Sequence, residues 1–198
     1  MNQAALTPAP TDWDALYPSQ RWLKTAFKAP ILLWRLGLGP LLGHIFVLIT
    51  HIGRKSGLPR RTVTEWHPFG AIKVAPCAWG ERSQWYRNIQ ADPLVTIQTK
   101  DGAQSCRARR ISDPVELRRA VEAIRARNAM MMDGYLRSLG IDPDDPADLT
   151  AKADRLTLIA FDPTDQPTPP PLEVDLAWMW PVALLTLLLL RAARPRRR

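Results

Sequence analysis

Between residues 45 and 111 the sequence offers only short apolar or β-branched runs cut by Gly, Pro and Asp-Gly, and that restricts the fold more than any other feature. IFVLITH is an apolar run of strand length, with GRKSGLP as the turn after it. RRTVTEWHPF reads as a β-branched second strand, closed by Phe69-Gly70. AIKVAPCA reads as a third, with Pro76 marking a bulge or an edge near its end. SQWYRNIQAD suits one short helix, stopped by Pro93. LVTIQTK, the turn Asp101-Gly102 and AQSCRARRI then read as a hairpin. No strand–helix–strand alternation runs through this stretch. The order predicts an α+β fold: a small closed or half-closed β-barrel, mostly antiparallel, with flanking helices.

The flanks are legible too. Residues 1–18 are Pro-rich and polar, a loose arm with neither the basic nor the apolar region of a signal peptide, so the body is expected in the cytoplasm. Residues 19–36 read as a helix broken or kinked at Pro30. DPVELRRAVEAIRARN predicts an amphipathic helix with Asp113 as N-cap, Pro114 in the first turn, and Leu117, Val121 and Ile124 on one face. Residues 130–155 suggest irregular helix, and the Met-rich MMMDGYLRSLG within them suits either a helix core or the wall of an apolar acceptor site. RLTLIAFDP is the closing strand. One domain, 19–163, is then followed by a Pro-rich linker, 164–175, and an apolar tail with an Arg-rich end, 176–198.

That tail is expected to be a membrane anchor. LAWMWPVALLTLLLL is uncharged and apolar all round, without the polar face of a surface helix. As helix its fifteen residues span about 22 Å, short of a hydrocarbon core of about 30 Å. Snorkelling arginines stretch it to roughly 27 Å. Positive-inside bias conflicts with a simple tail-anchored topology. A shallow insertion, or packing on the domain or a second subunit, therefore stays open.

Charge narrows the partners. The chain carries +8, and residues 164–198, with five arginines against three acids, account for only +2, so the body is basic in its own right. Such a body favours an anionic partner. Nucleic acid is disfavoured for want of an aromatic-rich exposed strand. Cys77 and Cys106 are far apart, and neither they nor His44, His51 and His67 have the spacing of a zinc site. The charge concentrates in GRKSGLPRR: Arg54, Lys55, Arg60 and Arg61, with Ser56 and with Gly53 and Gly57 for a tight turn whose N–H groups suit an anion nest. The spacing is not that of a Walker A loop. A second stretch, CAWGERSQWYRN, runs from a strand end through a small-residue turn into a helix start, where an anion is again favoured and where Trp79, Trp85 and Tyr86 offer flat walls.

Together, LITHIGRKSGLPRRTVTEW and KVAPCAWGERSQWYRNIQADPLVTIQ resemble the deazaflavin-dependent nitroreductase and quinone reductase family, in order and spacing from about Leu48 to Val95. The resemblance implies a split β-barrel that binds coenzyme F-420, a deazaflavin with a phosphate and a polyglutamate arm. It implies that Arg54, Lys55, Ser56 and Arg60, in the turn allowed by Gly57, take the phosphate and arm. Cys77, Ala78, Trp79 and Gly80 would line the phosphate and ring region, with Trp85 and Tyr86 behind; Arg61 is added on charge alone. The implied activity is hydride transfer from the reduced deazaflavin to a quinone or nitro-aromatic acceptor. No catalytic residue is identified, Tyr86 and Tyr135 are candidate proton donors, and no metal is called for. Alternatives are an FMN-dependent reductase and a non-catalytic fatty-acid or lipid binder on the same barrel. Two departures stand out: Cys77-Ala78 where some members have Ser-Lys, and Glu65 where some have an aromatic.

Overall fold

The computed structural model describes residues 29–192. The expected arm 1–18, the helix start before Ala29 and the arginines beyond Ala192 lie outside that range. Seven strands form one antiparallel sheet in the order β2-β1-β5-β6-β7-β4-β3. They are β1 (Phe46–Ile52), β2 (Pro59–Glu65), β3 (His67–Phe69), β4 (Ile72–Pro76), β5 (Leu94–Thr99), β6 (Gly102–Arg110) and β7 (Leu158–Pro163).

The run RRTVTEWHPF is not one strand but two. Trp66 interrupts it: its indole is buried at 6% exposure and donates to the Gly43 carbonyl at 3.0 Å. Before Trp66 the chain pairs with β1, and after it with β4. β2 and β3 are the two edge strands of the sheet, so one continuous stretch supplies both edges. The sheet must curl until β2 approaches β4, which makes a split barrel.

The helices are α1 (Ala29–Leu33), α2 (Gly39–Leu42), α3 (Gln84–Ala91), α4 (Pro114–Ser138), α5 (Pro146–Ala151) and α6 (Met179–Ala192). Pro30 lies in the first described turn of α1, so the expected break there falls at the limit of the described residues. A π turn at Trp34–Leu38 follows, and the backbone leaves helical values at Gly37 (φ 87°). The cap of α4 is as expected, the Asp113 carboxylate accepting from Glu116 N at 2.7 Å, and Leu117, Val121 and Ile124 are buried. That helix breaks at Asn128 (φ −148°, ψ 72°), whose side-chain oxygen accepts from Met131 N at 3.2 Å and so restarts it.

One apolar cluster fills the barrel, around Ile49, Ile97, Phe161 and Tyr86. A second joins α4 and α5 to the outer face of β4 and β7. The Pro-rich segment after β7 is held against the sheet. Gln98 acts like a paired strand residue, donating to the Leu172 carbonyl at 3.1 Å and accepting from Leu172 N at 2.7 Å. Thr168 meets Thr96 and Ser105 at 2.7 and 2.9 Å, and Arg35 grips Asp175 with two bonds. Beyond this strap stands α6, 14 residues long. No helix among the described residues is long and apolar enough to cross a membrane.

Candidate functional site

The gap between the two curled edges is a cavity of about 870 Å³, walled by β2, the turn before it, the end of β4 and the start of α3. Of the residues singled out from sequence, Arg54, Lys55, Ser56, Arg60, Arg61, Cys77, Ala78, Trp79, Trp85 and Tyr135 all line it. Residues 20 to 80 positions apart thus converge because the barrel closes there.

Three do not line it. Gly57 and Gly80 have φ of 65° and 43°, so they shape the turns that carry the neighbouring side chains. Tyr86 is buried in the barrel core and borders a second cavity, of about 500 Å³, beside Arg107 and Ala108. Helical phase is the reason. Along α3, Gln84, Trp85 and Asn88 face the large cavity while Tyr86 and Ile89 turn inward. The candidate proton donor Tyr86 therefore stands on the wrong side of the helix.

The basic turn departs from expectation in one respect. Four of its N–H groups are already used: Gly53 N donates to Leu58 O, Ser56 N and Gly57 N to Gly53 O, and Arg54 N to Asn88 Oδ1. These groups are not an open anion nest; side chains must carry the attraction. Gly53 is needed because a Cβ there would lie 2.7 Å from Ser56 Oγ and 3.2 Å from Arg60 Cγ.

Arg54 shows how that charge is held. Its guanidinium donates to Asn88 Oδ1 at 2.8 Å and Gln84 Oε1 at 3.0 Å, both neutral amides. They orient the cation without cancelling it. Among the described residues Arg60 bonds only to the Ser56 hydroxyl, at 3.5 Å, and Arg61 Nε is buried with no partner. With Lys55 and Arg82 the described lining of the cavity holds five cations and one carboxylate, Glu65. His51 does not add to them: burial, aided by Arg60, pushes its pKa down to about 4, and its Nδ1 faces Asn88 Nδ2 at 3.2 Å.

Cys77 and Tyr135 are chemically quiet. Burial pushes the Cys77 thiol up to about 11, which leaves it protonated and a poor nucleophile. The Tyr135 hydroxyl donates to the Cys77 carbonyl at 2.9 Å, and burial raises its pKa well above the usual phenol value. Its proton is committed to the backbone. The three consecutive methionines part ways: Met130 is exposed, Met131 lines the cavity and Met132 is core.

Sequence reasoning missed Gln84, Asn88, His51 and Arg82. Asn88 had a readable signal, since it falls four residues after Gln84 on the face that Trp85 also shares. Glu65 was noticed only as a departure, yet it too lines the cavity. A cationic end, a buried guanidinium nitrogen with no partner among the described residues and indole walls from Trp79 and Trp85 fit a planar ring on an anionic arm, and the volume suits a cofactor.

No curated protein matches the chain. Similar solved structures include an F-420-H2 dependent reductase, 22% identical over 59% of this chain and 93% of that one, with a TM-score of 0.40. The heme storage protein HutZ from Vibrio cholerae is 11% identical over 71% and 92%, with a TM-score of 0.44. A conserved hypothetical protein from Mycobacterium tuberculosis is 14% identical over 64% and 78%, at 0.43. A family model described as F-420H(2)-dependent quinone reductase matches residues 37–135, half of the chain, including the basic turn and both walls of the cavity. The chain belongs to this family of oxidoreductases, which work with the deazaflavin coenzyme F-420.

Proposed function

We propose that this chain binds reduced F-420 in the cavity at the barrel edge and passes its hydride to a quinone or nitro-aromatic acceptor. One observation carries the reading: among the described residues, five cations and one carboxylate line a cavity whose remaining walls are largely apolar. The bound coenzyme would supply the hydride. The residues of the chain bind, orient and exclude water. Lys55, Arg60 and Arg61 meet the phosphate and acidic arm, Arg54 is aimed by Asn88 and Gln84, and Trp79 and Trp85 flank the ring. A charge count this high suits several carboxylates better than the single phosphate of FMN. It also opposes an apolar fatty-acid cargo. The proton that completes reduction has no assigned donor, Tyr86 facing the core and Tyr135 bonding the backbone. The protein works in the cytoplasm in this reading, with α6 seating it on the membrane surface, beside lipid-soluble acceptors.

Fluorescence titration with F-420 and with FMN tests the binding. Lys55→Ala with Arg60→Ala should weaken F-420 binding by about 30- to 100-fold, the size of two lost charge-assisted hydrogen bonds. Arg54 is left in place because its loss would also free Asn88 and Gln84. Unchanged affinity in a folded double variant would sink the assignment.

A further inference from the structure

The cavity is electrically lopsided. Four of its cations, Arg54, Lys55, Arg60 and Arg61, gather at the turn before β2 and at the start of that strand, and Arg82 stands in the turn before α3. Glu65 ends the strand, paired with Phe46, whereas Arg60 is paired with His51. Four residues of strand lie between Arg60 and Glu65, a rise of about 16 Å. Around Glu65 the lining mixes apolar Phe46, Val63 and Met131 with the hydroxyls of Thr62 and Thr64.

The carboxylate is fixed by its surroundings. Oε1 accepts from Asn128 Nδ2 at 3.1 Å, a bond made possible by the break in α4 at that residue. Oε1 also lies 3.4 Å from His67 Nε2. Burial lowers the His67 pKa, Arg127 lowers it further and Glu65 opposes both, so the ring stays neutral near pH 7 and leaves the Glu65 charge uncancelled. Glu65 forms no ion pair with an arginine or lysine among the described residues. Its second oxygen is left for the cavity.

We propose that Glu65 is a specificity-determining residue: it makes the far end of the cavity a subsite for acceptors that are neutral or carry a hydrogen-bond donor or cation, and turns anionic acceptors away. This rests on the reading of the cavity as a coenzyme and acceptor site. The two ends then sort their ligands by sign. The acidic arm of the coenzyme is drawn to the arginines and repelled by Glu65, so it enters one way round. The acceptor meets the opposite charge, held in partly apolar walls where it is weakly screened.

Glu65→Gln keeps the oxygen that Asn128 needs and removes only the charge. The first arm uses the coenzyme-free protein and two non-reducible probes, 1-naphthylmethylamine (a cation) and 1-naphthylmethanol, followed by tryptophan quenching. The cation is repelled by the arginines and can gain only at Glu65. The ratio of its Kd to that of the alcohol should rise by about tenfold in Glu65→Gln. The second arm uses the F-420-loaded enzyme with 1,4-naphthoquinone and its 2-sulfonate. There the variant should narrow the preference for the neutral quinone by about tenfold, less at high salt. An unchanged ratio in the first arm, or failure of both probes to bind, would overturn the proposal. Failure of F-420 to bind, with the first arm intact, would remove the proposed activity and leave the charge assignment standing.

Discussion

At the scale of single residues, neutral partners hold the charges of the site in place. Asn88 bridges Arg54 and His51 and is itself nearly buried, so one amide satisfies a cation on one side and an uncharged imidazole on the other. His51 must be neutral for this, since a charged ring would face Asn88 with a donor on both sides and Arg60 with like charge. Its folded pKa of about 4 lies below the ordinary 6.5. The unfolded chain therefore binds more protons between those values, and stability falls as pH drops from about 6.5 towards 4. Between pH 7 and 5 this one group should cost about 2 kcal/mol, with His67 acting in the same direction. His51→Asn keeps an acceptor for Asn88 and abolishes that part of the slope; urea midpoints at the two pH values measure it. A variant as pH-sensitive as the parent would place the titration elsewhere.

At the scale of elements, interruptions position the site. The switch at Trp66 turns one β-branched run into both sheet edges, and the break of α4 at Asn128 brings an amide to Glu65. Both were invisible in sequence for a physical reason. Strand propensity reports whether a residue suits a pleated surface, not which neighbour it pairs with. Asn128 looked like one more residue of a helical run, and its value as an internal cap appears only once Met131 N has lost its partner. The strap makes a similar point. Eight of its contacts rest on side chains, chiefly Thr96, Gln98, Ser105, Arg107 and Arg35, that an extended Pro-rich stretch cannot announce. Gln98→Ala removes both bonds to Leu172, and hydrogen exchange at the Leu172 amide should speed up by about tenfold or more. Unaltered protection would mean that the Thr168 contacts hold the strap alone.

On the scale of the whole molecule, net charge and the tail are the features that bear on the proposed seat at a membrane surface. Trp178, Trp180, Leu184 and Leu185 are each at least half exposed, and the strap clamps their helix to the body through Arg35, four residues past Ile31 in the cavity wall. Over its described residues, about 21 Å, this helix is too short to span, and its apolar surface and the arginines that follow it in sequence suit an anionic lipid surface. The full chain should sediment with vesicles containing phosphatidylglycerol, at least about tenfold more tightly than a chain ended at Asp175, and release as salt rises. Equal binding of the two would leave the tail without that role.

Sequence alone determined the strand-and-turn grammar, the cap of α4 and the two motifs whose charges and rings meet at the cavity, because turn chemistry, helix phase and charge are local properties. Which strands became neighbours, that Tyr86 faces the core, that four N–H groups of the basic turn are spent within the fold, and that Glu65 shares one cavity with five described cations were settled only by tertiary structure. These depend on which distant backbone closes against which, and closure of the barrel, not any short stretch, fixes that.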